Sequence, residues 1–339
     1  MKDPRAICVF LAGALGDFVN ALPALSLLRE SYPAARIELV GNPSWLPLVA
    51  ASALVDRIHS QEDLPLAAAF QRELPEAHSL ARFLASFDFI LSWFGDREGR
   101  WERALESACD GEIHVFPLFR YERFQGHIRE YFLSSLRATG LRAIPREPFR
   151  LRLPAGGPGP GKPGGVPLGS ASYLCLHPGS GSPRKNWSRQ GFAALASLAR
   201  PRWGLEARVV LGPAERGSEA FWRELQSPGL VVVEDPPIVE LARMLSGARL
   251  YIGNDSGVTH LASCLGVPVV ALFGPTDPAR WGPRGAAVRI LSGSACGAPI
   301  GRAAGVDWSY TEGDAAGPAT AEVLEAAERL LNPPRDDSR

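Results

Sequence analysis

The chain lacks an excess of charge of either sign: Lys plus Arg and Asp plus Glu each number 36 among 339 residues. No global field therefore draws a polyanion, and nucleic acid is not an expected partner. No apolar run approaches the roughly 18 residues that span a bilayer, so membrane contact is expected to be peripheral at most. The N-terminal run ending at Asp17 has no cleavage site and reads as a first β-strand, not a signal peptide. The five cysteines, Cys8, Cys109, Cys175, Cys264 and Cys296, contain no C-x-x-C pair. Three of them, Cys8, Cys175 and Cys264, lie in apolar runs where a thiol behaves as a small hydrophobe, which fits a cytoplasmic protein. The G-x-G-x-x-G fingerprint is missing after every strand, which argues against a dehydrogenase. D-x-D and any His/Cys pair at ligand spacing are missing too, so neither a metal nor a cofactor is expected.

What is present suffices for two cores. The chain is 46% hydrophobic, and its length predicts roughly two domains. Residues 154–170 (PAGGPGPGKPGGVPLGS) are nearly free of core-forming side chains and read as a linker. The expected division is a first domain over 1–153, the linker, a second domain over 171–318, and a helix over 319–332 that could pack back on the first domain. Apolar runs at 6–12, 36–40 and 87–94 in the first half, and at 173–177, 207–211, 229–233, 250–253 and 267–272 in the second, read as buried strands. Helical periodicity separates them, at about 188–200, 214–226, 238–247 and 256–265 in the second half. Continuous Val, Ile and Leu runs in regular β-α alternation predict two α/β domains with doubly wound, parallel, Rossmann-like sheets. Ligands then belong at the carboxyl ends of the strands.

Four strand-to-helix turns carry candidate chemistry. The stretch Tyr251 to Gly274 begins with a strand, turns through Asn254, Asp255 and Ser256, and enters a helix through His260. Backbone N–H groups of Ser256 and Gly257 at the helix start would receive a phosphate, although Asp255 and Ser256 also suit plain helix capping. The loop from Pro178 to Trp187 offers glycines, Ser180 and the cations Arg184 and Lys185 to a pyrophosphate. Read alone, it is equally a flexible basic loop. Glu215, after the strand at 207–211, can accept both hydroxyls of a ribose or simply sit at a helix start. In the first half, Gly13 and Gly16 permit a tight turn and a close substrate. Asp17 is expected at the mouth of an interdomain cleft, as a general base for an acceptor hydroxyl or as an N-cap. Pro23 is expected to kink the helix that follows. Arg120, Arg123, His127 and Arg129 make a locally basic segment that could meet an anionic sugar or membrane, or form a solvated helix face.

Taken in order, GALGDFVNALPAL, HPGSGSPRKNW, LGPAE, GNDSGVTHLASCLGVPVVALFGPTDPARWGP and HIREYFLSSLRATGL resemble the heptosyltransferase family, glycosyltransferase family 9. The resemblance covers nearly the whole chain. It implies the glycosyltransferase-B fold, two Rossmann-like domains facing a cleft, and inverting, metal-independent transfer. It matches Asp17 to the base, Lys185 to the phosphate-binding lysine, Glu215 to the ribose ligand, and Asp255, Ser256, Gly257 and His260 to the donor signature. The implied donor is ADP-heptose and the implied acceptor is the lipopolysaccharide inner core, met at the inner face of the inner membrane. The chain departs from the family pattern at Ser92–Trp101 (SWFGDREGRW) and in the short segment 294–302. Two other classes stay open on the residues: a nucleotide-sugar epimerase or hydrolase of the same architecture, and a nucleotide-sugar-binding protein without catalysis.

Overall fold

Ile7 to Leu11 are all buried, and a strand covered on both faces belongs inside a parallel sheet. The computed structural model, which describes residues 3–71, 74–142, 148–153, 172–225, 227–293, 306–310 and 318–333, builds two such sheets. Strands β1 (Ala6–Leu11), β2 (Arg36–Gly41), β3 (Arg57–Ser60), β4 (Phe89–Ser92) and β5 (Glu112–Val115) form the first, in the order β3-β2-β1-β4-β5. The second contains β6 (Tyr173–His177), β7 (Glu206–Leu211), β8 (Leu230–Glu234), β9 (Leu250–Asn254), β10 (Val269–Phe273), β11 (Val288–Ser292) and β12 (Val306–Tyr310). Its order is β12-β11-β10-β9-β6-β7-β8, and every pairing in both sheets is parallel.

The chain divides into two compact units, 1–147 and 148–339. Residues 148–153, which the sequence reading gave to the first half, are bonded within the second: Leu151 N–H donates to Cys264 O at 2.8 Å and Arg150 Nε to Leu265 O at 2.9 Å. The 154–170 linker and the departure at 294–302 lie outside the described residues. The helix Thr320–Leu331 contributes Val323, Ala326, Ala327 and Leu331 to the core of the second unit, against the helix Arg189–Trp203 and strands β9 and β10. Its apolar stripe is covered there.

Two features of the first unit singled out from the sequence take a definite form. The helix Leu15–Ser31 runs through Pro23 to Ser31 as one 17-residue element, so Pro23 does not end it. Eleven of its residues are buried, and tertiary packing of this kind outweighs the roughly 3 kcal/mol a mid-helix proline costs. The atypical segment Ser92–Trp101 serves the core: Trp101 Nε1 donates to Ser92 Oγ at 2.9 Å and Trp93 Nε1 to Ser135 Oγ at 2.7 Å, with both rings fully buried.

The turn into β5 tolerates no side chain at its glycine. A Cβ on Gly111 would meet the backbone oxygen of Asp88 at 2.5 Å, and Asp88 in turn accepts the Arg5 and Ala6 amides that start β1. Gly111→Ala is expected to cost about 1–3 kcal/mol, since backbone, unlike a side-chain tip, cannot step aside. Urea unfolding of the variant beside the parent measures it.

Candidate functional site

In a doubly wound sheet the crevice opens where neighbouring strands send their crossovers to opposite faces. In the second unit that point lies between β6 and β9, paired from Leu174 with Leu250 to His177 with Gly253. The loops leaving these two strands are the ones singled out from sequence, and the structure brings them together. Lys185 Nζ lies 2.7 Å from Asp255 Oδ2, and Thr276 Oγ1, from the loop after β10, donates to the same oxygen at 2.6 Å. The Asp255 side chain is only 5% exposed, so the carboxylate is desolvated and needs both partners, whereas the Lys185 side chain stays 31% exposed.

Asn254, fully buried, ties the same loops from beneath. Its Oδ1 accepts from Trp187 N–H at 2.9 Å and its Nδ2 donates to Pro178 O at 2.7 Å. Within the loop, Ser180 Oγ donates to Ser182 O and sits against the Asn186 amide oxygen, each at 2.6 Å. Ser180 therefore shapes the loop, and its hydroxyl is engaged inside the turn.

Of the two roles open to Ser256, the structure displays capping. Its side chain accepts from Thr259 N–H at 3.3 Å at the head of the helix Gly257–Cys264, and its hydroxyl lies 3.1 Å from Thr259 Oγ1. Thr259 Oγ1 also contacts the buried Tyr251 hydroxyl at 3.0 Å and donates to Asn254 O, so a buried hydroxyl chain fixes the turn. Gly257 opens that helix, and the free amides of its first turn carry the positive end of the helix dipole. His260 lies in the same helix, 7% exposed.

Glu215 ends the short 3-10 turn Pro213–Glu215 and folds back, with Oε2 accepting from Gly212 N–H at 2.7 Å. Its other oxygen lies over Gly179, where a Cβ would come within 1.7 Å of it. Gly179 is thus the residue that lets the carboxylate lie beside the loop after β6. A cavity of about 390 Å³ adjoins it, lined among others by Asn186, Arg189, Arg216 and Ser218.

In the first unit the crossovers diverge between β1 and β4. Asp17 stands in the first turn of the helix Leu15–Ser31, three residues past the N-cap residue Ala14, so it is not the N-cap itself. It is half-buried, and a Cβ on Gly13, whose φ is 156°, would lie 3.2 Å from its Oδ2. Gly13 therefore makes room for this carboxylate. Gly16 lies inside the helix, where its carbonyl accepts from Asn20 Nδ2 at 2.8 Å, and it is not among the positive-φ glycines, so the tight turn does not depend on it. The basic segment does not form one surface: Arg120 and Arg123 are exposed, but His127 and Arg129 are 3% and 2% exposed, and His127 Nδ1 accepts from Arg129 N–H at the head of the helix Ile128–Ala138.

Comparison with known proteins bears on the same residues. Residues 162–300 match the family described as glycosyltransferase family 9 (heptosyltransferase). Over 295 residues the chain is 22% identical to lipopolysaccharide heptosyltransferase 3 of Escherichia coli, covering 79% of this chain and 83% of that protein. The glycosyl transferase family 9 structure from Veillonella parvula superposes with a TM-score of 0.71 at 19% identity, over 96% of this chain and 97% of that one. The chain is similar to the heptosyltransferase family through this segment and these relatives. The E. coli heptosyltransferase WaaC, solved with ADP, shares its fold at a TM-score of 0.65 and 16% identity, over 86% of this chain and 94% of that one. Like these proteins, the chain folds as two parallel-sheet α/β domains. No helix among its described residues is long and apolar enough to cross a membrane.

Sequence reasoning passed over Asn254 as a site residue and Thr276 altogether. Asn254 was quoted only as part of a turn, and nothing in the pattern said that its amide would face inward. Thr276 stands in the quoted motif GPTDP, where the neighbouring proline and glycine read as turn formers.

His177, the last residue of β6, is buried beneath this site, and burial pushes its pKa below the ordinary value. Its Nδ1 faces Val210 O at 3.0 Å, and because a carbonyl only accepts, Nδ1 carries the proton of a neutral ring. The native chain refuses a second proton that the unfolded chain takes near pH 6.5, so stability is full above that pH and falls as acid is added. Stability is therefore expected to fall between pH 6.5 and 5.5. Urea midpoints at the two pH values measure it, and His177→Asn, which keeps a donor for Val210, should lose less.

Proposed function

We propose that this protein is a heptosyltransferase, moving heptose from ADP-heptose to a lipopolysaccharide inner-core acceptor by direct, inverting displacement without a metal ion. The observation that carries this reading is the meeting of Lys185 and Asp255 at the β6/β9 crevice, beside the amide-bearing end of the helix Gly257–Cys264. A cation and free amides at one strand-to-helix turn are what a diphosphate needs, because the leaving group gathers negative charge as the glycosidic bond breaks. The naming of relatives as lipopolysaccharide heptosyltransferases, and the ADP in the WaaC structure, support the choice of nucleotide, sugar and acceptor.

The acceptor hydroxyl oxygen forms a new bond to the anomeric carbon while the bond from that carbon to the β-phosphate oxygen breaks. The electron pair leaves with the diphosphate, where Lys185 Nζ and the amides of Ser256 and Gly257 meet it. The acceptor proton passes to the Asp17 carboxylate. Asp255 does not touch the diphosphate in this scheme: it and Thr276 hold the lysine. Glu215 takes the ribose hydroxyls, and Ser180, Gly257 and His260 shape the donor loops. Gly13 leaves the space in which Asp17 and the acceptor hydroxyl meet. The enzyme works in the cytoplasm, touching the inner face of the inner membrane peripherally while it serves a lipid-linked acceptor.

Incubation with ADP-heptose and lipopolysaccharide core, followed by mass spectrometry, tests the transfer. Turnover of donor without acceptor would indicate an epimerase or hydrolase instead, and tight ADP binding with no turnover a binding protein. Asp17→Asn should lower kcat by about 10²–10⁴-fold with ADP affinity unchanged, as the loss of a general base does. A chelator should leave the rate unaltered.

A further inference from the structure

We propose that Asn254 is a positioning residue for the donor's diphosphate, acting through Lys185; this rests on the donor-site reading above. The ten residues 178–187 leave β6, make the 3-10 turn Pro183–Lys185, and return to the helix capped by Ser188. Inside, the tip is one piece, with Lys185 N–H bonded to Ser182 O at 3.0 Å, Asn186 N–H to Pro183 O at 3.1 Å, and Ser180 bridging Ser182 and Asn186. One amide at the end of β9 fixes both ends of this piece to the sheet. Asn254 takes the first residue of the loop through Pro178 O and the last through Trp187 N–H, using one donor and one acceptor of the same side chain.

The chemistry of this position is narrow. Both bonds are buried, so an unfilled partner could not turn to water. Aspartate keeps the acceptor for Trp187 but sets an oxygen against Pro178 O, and alanine supplies neither. Because Asn254 precedes Asp255 in the chain, the residue that staples the loop ends adjoins the one that holds the lysine head. Lys185 Nζ is thereby located from two sides of one strand end. A lysine stem has about 2 kcal/mol of rotamer freedom, and a diphosphate gains most from a cation already in place. Trp187 Nε1, donating to Pro318 O at 2.8 Å, holds the loop base independently, which should let variants at 254 fold.

Calorimetric titration with ADP of the full-length parent, Asn254→Ala, Lys185→Ala and the double variant tests the inference, with Asn254→Asp, which keeps shape and one bond, as the milder replacement. Thermal melts establish that each variant is folded. Asn254→Ala should weaken ADP binding roughly tenfold in the parent and less than twofold once Lys185 is gone, since a residue acting through another has no effect without it. Equal losses in both backgrounds, or no loss in either, would overturn the inference and leave the donor site standing. An absence of ADP binding by the parent would overturn the donor-site reading instead. A ligand-free arm separates the two: amide hydrogen exchange at Lys185 and Trp187 should rise in Asn254→Ala, and unchanged exchange would overturn the staple whatever the nucleotide does.

Discussion

A buried carboxylate governs how this donor unit works. Asp255 is taken out of water at the end of β9, and a bare carboxylate there would cost several kcal/mol, so Lys185 and Thr276 are drawn to it. The pair Asp255–Lys185 is neutral as a unit. Net field therefore contributes little to attracting a diphosphate, in keeping with a chain whose charges sum to zero. Under the proposed function, binding then rests on the placement of donors: one ammonium group and the amides at a helix head. Placement is what the surrounding hydrogen bonds secure, from the hydroxyl chain Tyr251–Thr259–Ser256 to the amide of Asn254.

Much of the fold was legible because buried parallel strands have continuous apolar sequences. The runs that became β6, β7, β9 and β10 lie in the middle of the second sheet, covered on both sides. Strands β3 and β5 escaped notice for the converse reason. They are the two edges of the first sheet, and their sequences, Arg-Ile-His-Ser and Glu-Ile-His-Val, are polar enough to leave most residues partly exposed. Strand β11 has the mixed sequence Val-Arg-Ile-Leu-Ser, with Arg289 breaking its apolar run, and was likewise missed. The helix through Pro23 shows the limit of local rules, since a proline's cost is fixed but the burial that offsets it comes from distant contacts.

The candidate site was legible where charge and glycine punctuate a strand end. Lys185 and Asp255 were named from loops 70 residues apart, and they meet. What sequence could not supply was direction. Ser180 was read as offered to a pyrophosphate and Ser256 as either a phosphate ligand or a helix cap, and both hydroxyls are engaged within their own turns. Arg129 belongs to a run that looked like surface charge, yet the first turn of its helix faces inward. Asn254 was the opposite case: a residue quoted only as part of a turn, whose amide joins both ends of the loop 178–187. A side chain's type can be read from the sequence, but whether it faces the core or the crevice depends on the register of a strand with neighbours far along the chain.

Glu215 brings these threads together. Its carboxylate is half committed, with Oε2 on the Gly212 amide while Oε1 lies over the bare backbone of Gly179. A carboxylate has about four acceptor sites, so one amide leaves most of them for a ligand. The side of approach matters more than the count. Any side chain at 179 would push the carboxylate away from the loop after β6, where Lys185 begins its reach toward the crevice. Glycine at 179 therefore does more than relax a turn: under the proposed donor site it keeps the acceptor proposed for the ribose beside the loop that carries the cation proposed for the phosphates, so that one ten-residue loop would serve both ends of the same nucleotide.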